Sequence, residues 1–567
     1  MFQRSLKKGL WVSAVLLTSA LAALVRADDY AAVTPDGRGA VATVQPRATE
    51  AAMKAYAEGG NAIDAAVAAA LTLGVVDGHN SGIGGGIFAL VHWADGRVEA
   101  IDGREMAPGK AHRTMYVRDG DYRPELSKKG PLAVGIPGAV AAYDYMMKKG
   151  GKARFATHLD AAATLADEGF AIDGIFARRL ARHAEDLLEY PGSAAIFLTP
   201  EGKPWPVGHR IRQPDLARTY RAIASEGPEY FYGGGFAKAV GDWMAEHGGI
   251  VTREDFANYE LLRRKPVVSD YRGYRVYGFP PPSSGGVHVA QMLNILEGFE
   301  VDALSEADRY HLLAEVMRLA FADRAYWLGD PAFASVPKGL ISERYADKLR
   351  ERLSLKSVAE VTGHSTPPKS QEELFGKHTT HIATADQDGN WLAITATVNT
   401  NFGSKVVVPG TGVILNNQMD DFSAQPGEPN AYGLLGAEAN SIAPGKRPLS
   451  SMSPTVVTRD GKPVLTLGAA GGPTIITQVV QALVNHIDLG MPLEDALVMD
   501  RIHHQWRPNQ LFVEKTLITP LRTALEEKGH QLRRLGDYGS TQAIGLDEQG
   551  RFISVAEPRL EERNKVE

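Results

Sequence analysis

The tetrad His378-Thr379-Thr380-His381 places two hydroxyls between two imidazoles. Three kinds of chemistry fit such a set. A metal site needs ligands that converge, but residues three apart on a strand point to opposite faces. His503-His504 lie far downstream, and no nearby carboxylate completes a recognised ligand spacing. A cross-strand threonine pair would be purely structural. A hydroxyl nucleophile is weak at its own pKa and needs an adjacent base. An N-terminal threonine carries that base itself, because an α-amine titrates near ~8. Freeing that amine requires a cut in the chain just before the threonine.

The elements around the tetrad bear on the choice. In "ADQDGNWLAITATVN", Asp388-Gly389 is a hairpin signal flanked by alternating residues. Leu392, Ile394, Ala396 and Val398 share one face; Thr395, Thr397 and Asn399 share the other. A three-residue loop, Gln387-Asp388-Gly389 with Gly389 left-handed, sets Thr379 opposite Thr397. A two-residue loop would set Thr380 there instead. The stretch from Leu355 to Lys377 is polar, with little periodicity, and reads as exposed or mobile. A polar segment ending at His378, before a buried-looking strand, is the arrangement a cut would need. On these residues alone the structural pair and the nucleophile both stand.

The rest of the 567-residue chain bounds the function. Apolar content of 44% and charged content of 23% are those of an ordinary soluble globular protein. A net charge of -6 without a Lys/Arg stripe leaves no basic footprint for nucleic acid. Arg4, Lys7 and Lys8 precede an apolar run, Gly9 to Val25, then "VRADD". This reads as an export signal over residues 1–27, removed after Ala27, with an uncleaved anchor as the alternative. Loss of Arg4, Lys7, Lys8 and Arg26 with it leaves a more acidic product, periplasmic or secreted. There is no cysteine, which removes disulfides, thiolate catalysis and Cys-ligated metals.

"TEAAMKAYAEGGNAIDAAVAAALTLGVV" reads as two helices broken at Gly59-Gly60-Asn61. "SGIGGGIFALVHW" is a glycine loop entering a strand, and residues 138–259 are mostly amphipathic helix. "DYRGYRVYGFPPPSSGG" reads as a strand ending in a proline turn, with a helix at "VHVAQMLNILEGF". After the polar segment the texture changes to strands and glycine turns until about Ala470.

Taken in order, "TTH…DGN…T-x-N-T-x-FGS", "NNQMDDF", "KRPLSSMSPT" and "GAAGGP" resemble the γ-glutamyltransferases. So do "GGNAIDAAVAAAL", "SGIGGG", "IDGREMAP", "DYRGYRVYGFPPPSSGG", "LGDPAF", "RIHHQW" and "GSTQAI". The resemblance covers essentially everything after the leader. One departure is Gly78, where many relatives carry proline.

The resemblance implies an α+β, N-terminal-nucleophile hydrolase fold, a four-layer αββα sandwich. It implies a precursor that cuts itself between His378 and Thr379, leaving a large subunit (28–378) and a small catalytic subunit (379–567). It makes Thr379 the nucleophile, with Thr397 bonded to its amine or hydroxyl and Gly471-Gly472 supplying an oxyanion hole. For a γ-glutamyl substrate, Arg104, Ser450 and Ser451 would hold the α-carboxylate. Asp421, Asn399 and Gln418 would hold the ammonium, and Tyr432 would sit on a lid loop, Ser423 to Gly436. The implied activity cleaves γ-glutamyl amides such as glutathione through a Thr379 ester and transfers the group to water, amino acids or peptides. No cofactor or metal is implied. A glutaryl-type amidase of the cephalosporin acylase kind is the near alternative, and a metal-dependent hydrolase the distant one.

Overall fold

A computed structural model describes residues 29–367, 380–425, 427–535 and 540–560. The leader (1–27) and both residues of the expected cut, His378 and Thr379, lie outside the described residues.

The strands of the two large sheets are β1 (Ala31–Val33), β2 (Gly39–Ala42), β3 (Gly86–His92), β4 (Val98–Gly103), β5 (Leu262–Arg264), β6 (Val267–Tyr271), β7 (Tyr274–Gly278), β8 (Thr380–Asp386), β9 (Trp391–Thr397), β10 (Thr455–Arg459), β11 (Lys462–Ala469), β12 (Thr541–Leu546) and β13 (Phe552–Ala556). Both sheets are antiparallel, ordered β1-β2-β8-β9-β3-β4-β5 and β6-β7-β10-β11-β12-β13, and smaller two- and three-stranded sheets lie outside them. The helices that position the site are α1 (Pro46–Ala57), α2 (Ala62–Val76), α3 (Gly174–Leu188), α4 (Gly285–Leu296), α5 (Glu306–Trp327) and α6 (Thr474–Ile487).

The layers follow from the period-2 pattern of the strands. On β9, Leu392, Ile394 and Ala396 join the core made with α2, while Ala393 and Trp391 face the second sheet. Burying each Leu or Ile in this way is worth about 1.5–3 kcal/mol. Between the sheets, Phe88 of β3 stacks on Phe279 with ring centroids 4.0 Å apart. On the far side, α4 packs on β6 and β7, α6 on β11, and α5 on α4. This is the four-layer αββα order that the resemblance implies.

α2 begins with a capping box, Asn61 with Asp64, and all of its residues are buried. Asp386 of β8 accepts from Ala62 N at 2.9 Å and Thr384 donates to Ala62 O at 2.8 Å, tying the helix start to the strand.

The hairpin settles one alternative. Gly389 has φ +99°, Asp386 N donates to Asn390 O at 3.0 Å, and Thr380 pairs with Ala396. This is the three-residue register.

Two readings need correction. "DYRGYRVYG" is two strands, β6 and β7, joined by a two-residue turn in which Arg272 and Gly273 both have positive φ. Residues 398–454 hold irregular chain with short 3-10 turns rather than strands, because their Gly, Pro and Asn content breaks any alternation.

Candidate active site

The chain leaves β9 through Thr397, whose Oγ1 accepts from Asn399 N at 2.7 Å. Asn399 takes φ +79°, and its Nδ2 donates to Asn417 O at 2.9 Å. The glycine loop packs directly beneath: a Cβ on Gly85 would come within 1.8 Å of Thr397 O. Only glycine allows that approach. Asn416 holds the same region from the other side, donating to Gly84 O at 2.9 Å and Gly135 O at 2.7 Å. Its Oδ1 accepts from Gln418 N at 2.9 Å.

Arg104 stands just beyond β4 and is fully buried. Its Nη2 donates to Asp421 Oδ2 at 2.8 Å, its Nε to Pro448 O at 3.2 Å, and its Nη1 lies 3.4 Å from Glu105 Oε2. The guanidinium also lies 5.9 Å from the Phe88 ring, so the inter-sheet core braces the site. Gln418 Nε2 donates to the same Asp421 oxygen at 2.6 Å. Asn440 Nδ2 fixes the Asp421 backbone carbonyl at 2.7 Å.

Arg104, Gln418 and Asp421 thus form one buried bonded cluster, and Pro448 ties it to the segment that carries Ser450 and Ser451. Three buried polar atoms on the expected substrate residues have no hydrogen-bond partner among the described residues: Asn399 Oδ1, Gln418 Oε1 and Ser451 Oγ. Buried polar atoms are ordinarily satisfied, and leaving one bare costs about 1–3 kcal/mol. A polar ligand would remove that cost. Ser450 is buried beside them, its carbonyl accepting from Ser284 N at 2.9 Å.

Tyr432 is half-buried, and its hydroxyl donates to Asn399 O at 2.7 Å. The loop that carries it is therefore bonded to the site rather than loose on the surface. Burial, with Asp421 and Asp420 nearby, pushes the phenol well above its usual range, so it stays a donor.

Gly471 and Gly472 link β11 to the start of α6, with φ +132° and +61°. Among the described residues their N–H groups donate to no acceptor. Free N–H groups at a helix start favour a developing negative charge. β11 packs across β8 and β9, and a Cβ on Gly468 would meet the His381 ring at 2.3 Å. A cavity of about 300 Å³ is lined by both Thr380 and Gly471. Gly471 therefore faces the start of β8.

His381 is fully buried, with Nδ1 3.1 Å from Thr395 Oγ1, and burial pushes its imidazole down to about 3. Among the described residues no three His, Asp or Glu side chains form a group that would hold a metal.

Sequence reasoning missed the supports. Asp102 anchors Arg104 N at 2.9 Å and pairs with Arg264 at 2.6 Å and Arg447 at 2.5 Å. Burial alone would raise its carboxyl, but the two guanidiniums hold it below the usual range. Burial raises Glu105 to about 7 in spite of Arg104. Burial lowers Arg324 to about 10, against the opposing pull of Asp421. "DGREM" and "KRPLSSM" contain Glu105 and Arg447, but nothing local marks Arg324, which comes from the middle of α5.

Comparison with known proteins follows the same lines. The family model described as Gamma-glutamyltranspeptidase matches residues 48–566. The glutathione hydrolase proenzyme of Escherichia coli (strain K12) is 41% identical over 530 residues, spanning 92% of this chain and 90% of that protein. An acylase ACY 1 proenzyme of Pseudomonas sp. (strain V22) is 38% identical over 531 residues, 92% of each. The crystal structure of a cephalosporin acylase from Bacillus halodurans superimposes with a TM-score of 0.82 at 32% identity, over 92% of this chain and 94% of that one.

Proposed function

The chain belongs to the gamma-glutamyltranspeptidase family, and from that premise we propose how it acts. It is a self-processing enzyme that cleaves γ-glutamyl amide bonds, glutathione among them, and transfers the γ-glutamyl group. Thr379 is its nucleophile. In the precursor, Thr379 Oγ attacks the carbonyl carbon of His378, and the peptide C–N bond gives way to an ester. Water then hydrolyses the ester, leaving a carboxylate on His378 and a free α-amine on Thr379. That amine is the base the hydroxyl lacked. It takes the Oγ proton as Oγ attacks the substrate's γ-carbonyl carbon, and it returns the proton to the departing amine. The Gly471 and Gly472 N–H groups hold the oxyanion in both half-reactions. Water or a neutral acceptor amine then breaks the Thr379 ester.

The observation that carries this reading is the buried Arg104–Asp421 pair at 2.8 Å, beside the unsatisfied atoms of Asn399, Gln418 and Ser451. A γ-glutamyl group ends in an α-carboxylate and an α-ammonium. Arg104, with the hydroxyls of Ser450 and Ser451, suits the carboxylate as a fork donor. Asp421, Asn399 Oδ1 and Gln418 Oε1 suit the ammonium as acceptors. A zwitterion that engages both halves of the pair leaves the net charge of the pocket unchanged. Tyr432, bonded to Asn399 O, closes the pocket over it.

A glutaryl group shares the carboxylate but has no ammonium, so the Asp421 carboxylate favours the γ-glutamyl reading over the glutaryl-amidase one. Two further parts of the proposal are export by residues 1–27, which rests on sequence pattern, and subunits of residues 28–378 and 379–567, which rest on the family resemblance. Thr379→Ala tests the mechanism. The variant is expected to fold as one uncut chain that releases no glutamate from glutathione. A cut or active variant would remove Thr379 from the nucleophile's place.

A further inference from the structure

The proline turn that follows β7 carries two serines outside the substrate cluster. Ser283 and Ser284, in "PPPSSGG", stand just before α4 and are fully buried. They lie beside the segment that leads into β10, where Ser283 and Ser450 bridge in parallel. Ser284 N donates to Ser450 O at 2.9 Å, and Ser450 N donates to Pro282 O at 3.2 Å. Ser283 Oγ donates to Met452 O, and Ser284 Oγ donates to Ser450 O. A Cβ on Gly285 would come within 2.4 Å of Met452 O, so the glycine lets α4 start flush against this segment. The carbonyls on either side of Ser451 are thus both held from the turn. The serine hydroxyl protons stay free. Ser450 Oγ accepts from Met452 N at 3.3 Å, and Ser451 Oγ has no partner among the described residues. Each keeps its O–H for an acceptor such as a carboxylate.

Ser284 is diverted from its own helix to do this. A serine at an N-cap ordinarily accepts from the second or third N–H of the helix. Ser284 occupies that position on α4 and makes no such bond. Its Oγ instead accepts from Arg324 Nε at 3.1 Å, which turns its own proton toward Ser450 O. Arg324 reaches over from α5 and is 2% exposed, and this is its only hydrogen bond among the described residues. It makes no ion pair among them, although the charge of Asp421 acts on it. A buried guanidinium with no carboxylate in contact is costly. A substrate α-carboxylate on Ser450 and Ser451 would set the missing negative charge on the segment that Ser284 holds.

We propose that Arg324 and Ser284 are positioning residues that set the enzyme's demand for an α-carboxylate on its donor. Arg324 orients the Ser284 hydroxyl, and Ser284 fixes the segment from which Ser450 and Ser451 reach the carboxylate. The inference rests on the γ-glutamyl reading above and adds the residues behind its carboxylate requirement. Arg104 meets the carboxylate directly, whereas Arg324 acts through Ser284 and through its charge.

The test compares γ-glutamyl anilide with 4-aminobutyryl anilide, which keeps the ammonium and lacks the α-carboxylate. A denaturing gel checks processing, and kcat/KM is measured for both substrates on the processed enzyme. Wild type is expected to favour the γ-glutamyl compound by about a hundred-fold or more. Arg324→Gln is expected to cut that preference by about ten- to a hundred-fold, the scale of a hydrogen bond to a charged group. Ser284→Ala, which keeps the backbone bond to Ser450 O, should cut it by roughly three- to ten-fold. Arg324→Lys, which keeps the charge but loses the planar fork, should fall between wild type and Arg324→Gln. A role in folding or processing alone would slow both substrates alike. An unchanged preference in Arg324→Gln therefore overturns the inference and leaves the γ-glutamyl reading standing; if that variant stays uncut, an unchanged preference in Ser284→Ala does the same. A wild type that takes both anilides equally removes the carboxylate assignment of Arg104, Ser450 and Ser451, and the inference falls with it.

Discussion

Replacing Asp421 by asparagine isolates one charge in the pocket. Asp421 Oδ2 accepts from Arg104 Nη2 at 2.8 Å and from Gln418 Nε2 at 2.6 Å. An asparagine oxygen can keep both bonds, and its volume is the same, so the local structure is expected to survive. The lost element is the negative charge that would face the substrate's ammonium. A buried charge-assisted contact of this kind is worth about 2–4 kcal/mol, which is a roughly 30- to 900-fold fall in kcat/KM. The assay pairs γ-glutamyl and glutaryl anilides, identical except for the ammonium. Asp421→Asn should lose that factor on the γ-glutamyl substrate and change by no more than about three-fold on the glutaryl one. Equal losses on both, or a γ-glutamyl loss below about three-fold, would refute the assignment of Asp421 to the ammonium.

Gly471→Ala places a Cβ 2.5 Å from Thr474 Oγ1 at a φ of +132° that alanine avoids. Re-aiming the N–H pair should lower kcat by about 100-fold or more with a modest change in KM; a kcat within about three-fold of wild type would count against an oxyanion hole there. Burial alone would raise Asp64, but hydrogen bonds from His158 and from the N–H groups of Asn61, Lys152 and Ala153 hold it down at about 2. A depressed carboxyl stabilises the fold above its unfolded pKa, near ~4, and loses that contribution as pH falls through the folded value. Urea unfolding should therefore show Asp64→Asn about 2 kcal/mol less stable than wild type at pH 7, with the gap closing below about pH 4. A gap that stays constant with pH would contradict the linkage.

The parts of the structure legible in the sequence are those set by local rules. Asp388-Gly389 with its flanking alternation marked the β8–β9 hairpin and narrowed its register to two, because turn geometry and the period of two leave few choices, and the folded chain takes the three-residue loop. The α1–α2 break at Gly59-Gly60-Asn61 was legible for the same reason. β6 and β7 were read as one strand because their turn is Arg272-Gly273, with arginine at a positive-φ position where Asn, Asp or Gly is usual. The candidate site divides similarly. Arg104, Asp421 and the serines stand in distinctive local runs, and the family resemblance picked them out. Arg324 and the Asp102–Arg264–Arg447 network are assembled from segments hundreds of residues apart, and only the folded chain brings them together.

On the mechanism proposed above, the chain becomes an enzyme by exposing the α-amine of Thr379. N-terminal sequencing of the smaller band from a denaturing gel of the active protein tests it directly. Two bands are expected, with the smaller one beginning Thr-Thr-His-Ile-Ala. Full activity in a single uncut chain, or a smaller band beginning at any other residue, would contradict it.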